Sequence, residues 1–203
     1  VPSVYEKKEG GKDSVLELKE VDYHKNNKHN GLNHISLSVK KGEIVGIAGV
    51  DGNGQSQLAQ IATGVITPEA GTVYLKSEKV SKFLPKAFID AKVSNIPEDR
   101  NKMGLVGNMT VEENLVLKAT ESSRFSKGKG WFLKKKAIHE YALEMQKKND
   151  IRCSSVEQEA RNLSGGNQQK IILARELDED PDLLVAVPVS YTHLRAHETL
   201  SDL

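Results

Sequence analysis

The sequence predicts an α/β fold: a mostly parallel sheet core, an antiparallel β portion on its N-terminal side and an α-helical insert. Three observations predict it. The apolar run "EIVGIAG" ends in glycine and leads through "GVDGNGQS" into a segment with helical apolar spacing, the strand, loop and helix order of a parallel α/β core. Two runs before it alternate apolar and polar residues, the mark of half-buried strands. A charged segment of helical periodicity then separates this part from a last loop, helix and strand.

The elements follow in order. "VPSVYEKKEGGKDS" opens the chain with charges and glycines, and residues 1–13 read as a flexible linker. "SVLELKEVDY", Ser14 to Tyr23, alternates like a strand, and Asn30-Gly31 signals a turn before a second strand at Ile35 to Val39. "EIVGIAG" reads as a buried parallel strand. "SQLAQIATGV" places Leu58, Ile61 and Ala62 on one helix face, with Gly64 as its stop. "GTVYLK" is a further strand. Thr110 with Glu113 three positions on forms a capping-box pattern, and "KKKAIHEYALEMQKKNDI" is an amphipathic, charged helix. The helical portion runs from about 110 to 165 within a domain of residues 14–187. "NLSGGNQQKIILARELDEDPDLLVAV" gives a loop, a helix offering Ile171, Ile172, Ala174 and Leu177 for burial, a proline break and a buried strand.

With 203 residues, 37% of them hydrophobic, and a formal net charge of +1, composition suits a soluble domain with no global attraction to nucleic acid. Cys153 is the only cysteine, which excludes an internal disulfide and a multi-cysteine zinc site; it reads as a small apolar filler. No apolar stretch approaches the roughly 20 residues that span a bilayer, and the N-terminus lacks the apolar segment of a signal peptide.

Two glycine loops carry the chemistry. In "GVDGNGQSQL", Gly49, Gly54 and Ser56 stand where a phosphate-binding loop needs them, but the lysine position is Gln55. Such loops surround phosphates with main-chain N–H groups at a helix start, and the hydroxyl helps hold Mg²⁺. The candidate nucleotide-binding residues are Gly49, Asp51, Gly52, Asn53, Gly54, Gln55, Ser56 and Gln57, with Ser56 for Mg²⁺. Gln55 keeps a donor and removes a charge worth about 4 kcal/mol at ~4 Å and an effective dielectric near 20. Main-chain binding survives that loss better than phosphoryl transfer, which relies on such charges. The second loop, "LSGGNQQK" (Leu163 to Lys170), again opens a helix, 110 residues after the first when counted from Gly54 to Ser164.

Leu163, Ser164, Gly165, Gly166, Asn167 and Gln168 resemble the signature of ATP-binding cassette ATPases, in the form seen in sugar and nucleoside importers. "VKKGEIVGIAGVDGNGQSQL", "IPEDRNKMGLV" and "MTVEENLVL" are similar to the second nucleotide-binding half of double-cassette importers, and "GVDGNGQS" leans to the nucleoside branch. The resemblance covers about Ser14 to Val187. It implies a P-loop NTPase fold, ATP and Mg²⁺ as cofactors, and ATP hydrolysis coupled to transport. It also implies head-to-tail pairing with a partner nucleotide-binding domain, docking to transmembrane permease subunits, an indirect relation to a substrate-binding protein, and a place on the cytoplasmic face of the plasma membrane. In that family the second half commonly lacks the loop lysine, so Gln55 fits the pattern. Glu98 in "IPEDR" falls at the Q-loop glutamine position. Tyr23 is a candidate for stacking on adenine, with a plain strand-end tyrosine as the alternative.

After "DLLVAV" the family's run of Walker B acids and D-loop is expected; the chain reads "PVSYTHLRAHETLSDL" instead. The expectation is a truncation near Val187 followed by a tail, residues 188–203, that does not match the family. No Walker B aspartate or glutamate is present up to Val187, so with Gln55 three charged groups are missing, no residue is assigned as catalytic, and the chain by itself is expected to be a poor ATPase. An unpaired sheet edge is expected as well. The run "RFSKGKGWFLKKK", Arg124 to Lys136, reads as a solvated junction between loop and helix and not as a nucleic-acid site; His34 and His139 read as surface or strand residues. A non-hydrolytic nucleotide sensor and a soluble ribosome-associated cassette are the other classes compatible with these motifs, though "NQQK" and "PEDR" argue against the ribosome.

Overall fold

The structure, a computed structural model, describes residues 3–5, 14–24, 31–50, 52–128 and 130–187. Asn30 of the turn, Asp51 of the first glycine loop and the tail from Pro188 lie outside the described residues. The chain divides into two compact units, Val1–Asn95 with Asp180–Val185, and Ile96–Glu179 with Ala186–Leu203. Each has its own apolar core.

In the first unit, β1 (Ser3–Tyr5), β2 (Ser14–Tyr23), β3 (Leu32–Lys40) and β4 (Gly46–Ala48) lead into α1 (Gln55–Ala62), followed by β5 (Ala70–Leu75), β6 (Glu78–Lys79), α2 (Pro85–Asp90) and β7 (Val93–Ile96). The central sheet has the order β3-β2-β5-β6 and is antiparallel throughout. β2 buries Leu16 and Leu18 by period-two alternation, yet its next buried residue is Val21. An odd spacing puts a residue on the wrong face unless an extra residue is bulged out. Register shifts occur there on both sides of β2, and Glu20 takes a φ of 48°. Leu18, Val21, Leu32, Ile61, Val73 and Phe88 fill the core beneath. Leu58, Ile61 and Ala62 are the buried face of α1, as their spacing predicts, and the helix gives way at Gly64.

"EIVGIAG" departs from expectation. β4 pairs antiparallel with β1, inside the stretch read as linker, and only Ile47 of its residues is partly covered. Ile44 is 72% and Val50 75% exposed. An apolar strand is buried only when strands lie on both sides and helices on both faces; among the described residues β1 is its only strand partner.

Asp22 and His34 face each other across β2 and β3. Asp22 Oδ1 accepts from the His34 main-chain N–H at 2.6 Å and contacts its Nδ1 at 2.8 Å. The main-chain N–H of His34 holds the Asp22 carboxyl below its usual range, and the bond to Asp22 raises the His34 imidazole above its own.

The second unit holds a turn of π-helix at Arg100–Gly104, then α3 (Val111–Leu115), β8 (Ser126–Lys127), β9 (Phe132–Leu133), α4 (Lys135–Lys148), a 3₁₀ turn at Ala160–Asn162 and α5 (Gly165–Asp178). The chain then returns through β10 (Leu183–Ala186), which pairs with β7. Asp182 donates to Lys92 and Val187 to Ile96, so both strands advance together as a parallel pair does. β10 also departs from the buried strand expected: Leu183 is buried, while Leu184 is exposed, because its second edge has no neighbour among the described residues.

Thr110 caps α3 by a full capping box: its Oγ accepts from Glu113 N–H, and Glu113 returns a carboxylate to Thr110 N–H at 2.8 Å. α4 buries Ile138, Tyr141, Ala142 and Met145, the i, i+3, i+4, i+7 stripe of an amphipathic helix. α5 buries Ile171, Ile172 and Ala174, but not Leu177. Its inner stripe instead includes Arg175 and Glu176, both nearly inaccessible. Arg175 donates to Gly104 O (2.8 Å), Asn114 O (3.2 Å) and Glu176 Oε1 (3.1 Å), and Lys118 Nζ reaches Glu176 Oε2 at 2.6 Å. Cys153 packs partly buried against the same core, and burial raises its thiol pKa. His139 bonds Glu112 at 2.8 Å.

Glu176→Ala removes the carboxylate between the buried Arg175 and the partly covered Lys118, and is expected to cost about 3–5 kcal/mol, read as a lowered urea midpoint for loss of helical circular dichroism. For Asp22 and His34 the signs set a pH window. A raised imidazole pKa stabilises fully below the ordinary 6.5 and is lost as pH rises through the raised value. A lowered carboxyl pKa stabilises above the ordinary 3.8 and is lost as pH falls. The urea-midpoint difference between the natural chain and His34→Ala is therefore expected to peak between about pH 4 and 6.5. A difference independent of pH would contradict the pair.

Candidate functional site

The first glycine loop follows β4 and ends at α1. Asn53 N–H donates to Val50 O at 3.2 Å, and Leu58 N–H to Gly54 O at 2.9 Å. Gly54 caps α1 with a φ of 92°, and a Cβ there would lie 2.8 Å from Leu32 Cδ2 and 3.2 Å from Gly31 O. Left-handed backbone and close approach both require glycine. No side chain caps α1 and no acidic residue lies in its first turn, so the positive end of its dipole and its unpaired N–H groups remain available to an anion. Gly49, Gly52 and Ser56 are exposed; Asn53, Gln55 and Gln57 are partly covered. Gln55 Nε2 turns back onto Val50 O at 3.3 Å. Its donor thus serves the loop's own main chain at the position where a lysine would reach outward.

Tyr23 ends β2, paired with Leu32, and the Leu32 side chain lies against Gly54. The sheet therefore brings the end of β2 into the neighbourhood of the loop. Glu98 is exposed at the bend after β7, two residues before the π-helical turn.

The second loop is built in the second unit. Ser164 is the N-cap of α5 with no side-chain bond to the helix N–H groups and no acid in the first turn, so this helix start is also open to an anion. The surrounding polar groups are tied down. Asn167 Nδ2 donates to Ser164 Oγ (2.9 Å), and Asn167 Oδ1 accepts from Arg152 N–H (2.8 Å). Gln168 is buried, donating to Ala160 O (3.1 Å) and accepting from Arg100 Nε (3.2 Å). Leu163 is buried in the unit's core. An open depression beside the loop is lined by Arg152, Ser154, Gln158, Ser164 and Asn167. Arg100 and Arg152 were not among the sequence candidates; Arg100 lies 68 residues before its partner Gln168, and Arg152 meets the loop through its main-chain N–H, so contact alone reveals them.

The two glycines of this loop differ. A Cβ on Gly165 would meet the Arg100 guanidinium at 2.7 Å, whereas one on Gly166 would meet nothing within 4 Å. Packing within this chain does not demand glycine at 166.

A glycine loop opening α1 and an "LSGG" loop opening α5 are matched by a family model. The model described as ABC transporter covers residues 32–186. The chain belongs to the ABC transporter family. Among curated proteins it is 39% identical over 174 residues to the nucleoside import ATP-binding protein NupA of Lactococcus lactis subsp. cremoris, covering 86% of this chain and 34% of that protein. It is 42% identical to the guanosine import ATP-binding protein NupO of Bacillus subtilis (75% and 29% covered) and 41% to the glucose import ATP-binding protein TsgD13 of Haloferax volcanii (76% and 28%). The chain thus spans about a third of the length of the curated relatives it matches. The cassette MJ0796, in its dimeric post-hydrolysis state bound to ADP and Pi, superposes with a TM-score of 0.65 at 22% identity, covering 93% of this chain and 82% of that one. That likeness establishes the cassette fold.

Gly54→Ala is expected to destabilise the first unit by about 1–3 kcal/mol, from left-handed strain and the Leu32 contact. Gly166→Ala is expected to leave stability within about 1 kcal/mol or to raise it. Thermal melts of the two variants check this, and equal losses would contradict it.

Proposed function

We propose that this chain is the second nucleotide-binding half of an importer ATPase, and that it mainly donates its "LSGG" loop to the nucleotide site of a partner cassette. The observation that carries the reading is the contrast between the two helix starts. α1 has open N–H groups, but Gln55 brings no charge and turns an amide N–H back onto Val50 O. α5 presents Ser164 and an unobstructed Gly166, braced by Asn167, Gln168 and Arg100.

Nucleotide fits the first loop through main-chain donors from Gly49 to Gln57, with Tyr23 as the adenine contact. When bound, Mg²⁺ would neutralise phosphate charge, and Ser56 would supply one oxygen ligand. No carboxylate follows β10 up to Val187, so no hydrolytic step is assigned to this chain's residues. The importer setting is supported by the relatives' names: nucleoside, guanosine and glucose import. Nucleoside is the favoured cargo class because "GVDGNGQS" leans to that branch. Partners are then a second nucleotide-binding domain paired head to tail, permease subunits contacted near Glu98, and, indirectly, a substrate-binding protein, at the cytoplasmic face of the plasma membrane. A non-hydrolytic nucleotide sensor is the second reading, favoured by Gln55 and the missing acids; ATP binding without turnover in the complete transporter would establish it.

In the full-length transporter, Ser164→Glu is expected to lower ATP turnover by about 10²-fold or more, as loss of a phosphate-binding donor does. Ser56→Ala is expected to reduce it far less. A silent Ser164→Glu beside an abolishing Ser56→Ala sinks the assignment.

A further inference from the structure

The segment read as a solvated junction is a braced hairpin. Ser126 pairs with Leu133 and Lys127 with Phe132. Its base is fixed: Phe125 is buried with its ring 4.9 Å from that of Tyr141, and the Arg124 guanidinium lies over both rings. Gly130 N–H donates to Ser126 Oγ at 3.0 Å, and Lys134 N–H to Phe125 O at 2.8 Å. Yet the residues it holds out are apolar. Trp131 is 84% and Phe132 72% exposed, and the adjacent Leu133 is half exposed. A hairpin that presents three consecutive large apolar side chains to water gains nothing from them by itself.

A second observation stands beside it. α4 starts directly after the hairpin with Lys134, Lys135 and Lys136, no side-chain cap and no acid in its first turn. Cations at the positive end of a helix dipole repel it and attract anions. From Ser122 to His139 the chain has six lysines and arginines and no acidic residue. The nearby carboxylates are Glu140, 3.9 Å from Lys136, Glu144, 4.0 Å from Arg124, Glu112, 2.8 Å from His139, and Glu121 beside Gly130, which leaves positive charge in excess.

We propose that this hairpin and the first turn of α4 dock on an anionic phospholipid bilayer, with Trp131, Phe132 and Leu133 entering the headgroup region and the exposed Lys135 and Lys136 facing lipid phosphates, while Lys134 ties back to Ser123 O. Amphipathic aromatics beside lysines are the chemistry of the membrane interface. A nucleic acid also offers phosphates and stacking faces, but Leu133 has nothing to stack on and gains only from hydrocarbon. The inference does not rest on the nucleotide sites: its test needs neither ATP nor a permease, so it can fail while the importer reading stands.

Trp131 is the only tryptophan of the chain, so its fluorescence reports the surface directly. The purified chain is titrated with protein-free vesicles of phosphatidylcholine and phosphatidylglycerol in equal parts, and with pure phosphatidylcholine. Trp131 emission is expected to shift to shorter wavelength, and the chain to float with the anionic vesicles only, releasing at roughly 1 M salt. K135Q/K136Q is expected to lower partitioning by roughly 25-fold, about fivefold per lysine. W131A/F132A should abolish flotation with an unchanged circular dichroism spectrum, and W131F should retain it. Absence of an emission shift, equal binding to neutral vesicles, or tighter binding of a single-stranded oligonucleotide through the same residues would each overturn the proposal.

Discussion

Arg175, buried with Glu176 on the inner face of α5, is the constraint on which the second unit is built. Its guanidinium spans two backbones and a carboxylate at once: the carbonyl of Gly104 at the end of the π-helical turn, that of Asn114 in α3, and the side chain of Glu176 on its own helix. A buried arginine with an unsatisfied N–H or no counter-charge costs several kcal/mol. The π-helical turn, α3 and α5 therefore hold one mutual position at which every partner is satisfied. Lys118 completes the balance on Glu176. The apolar stripe of α5 supplies the burial, and the polar network adds direction.

That fixed position reaches the glycine loop through the same helix. Ser164 and Gly165 begin the helix that Arg175 orients. Gln168, one turn in, is held between Ala160 O and Arg100, whose guanidinium also lies against Gly165. Asn114 contributes from below: its side chain bonds both the N–H and C=O of Val106 and the carbonyls of Met109 and Thr110, rigidifying the turn that leads into the capping box. A loop that must meet a phosphate supplied from elsewhere gains from such preorganisation, because ordering is not then a cost of binding. The first loop is held differently, by close backbone contact at Gly54 and by the Gln55 bond to Val50.

Much was legible in the chain. Leu58, Ile61 and Ala62 gave the face of α1, Thr110 with Glu113 gave the start of α3, and the stripe from Ile138 to Met145 gave α4, because local spacing dictates which side chains share a face. The two glycine motifs and the family were legible for the same reason: they are contiguous patterns. Less legible were Leu177, exposed where burial was expected, and Arg175 and Glu176, buried where exposure is the rule. Periodicity assigns a face, but not which polar groups that face will find partners for.

The sequence by itself determined the α/β class, the order and spacing of the glycine loops, and the loss of charge at Gln55, since each is written in adjacent residues. Only the tertiary structure decided that "EIVGIAG" lies mostly open, that Gln55 folds onto its own loop, and that Arg100 and Arg152 flank the second loop. It alone turned a basic, aromatic stretch into a braced hairpin that holds Trp131 out to solvent. These outcomes depend on which neighbours are in reach to cover a strand, accept a hydrogen bond or balance a charge, from Val50 five residues before Gln55 to Gln168, 68 residues beyond Arg100, and periodicity does not name them.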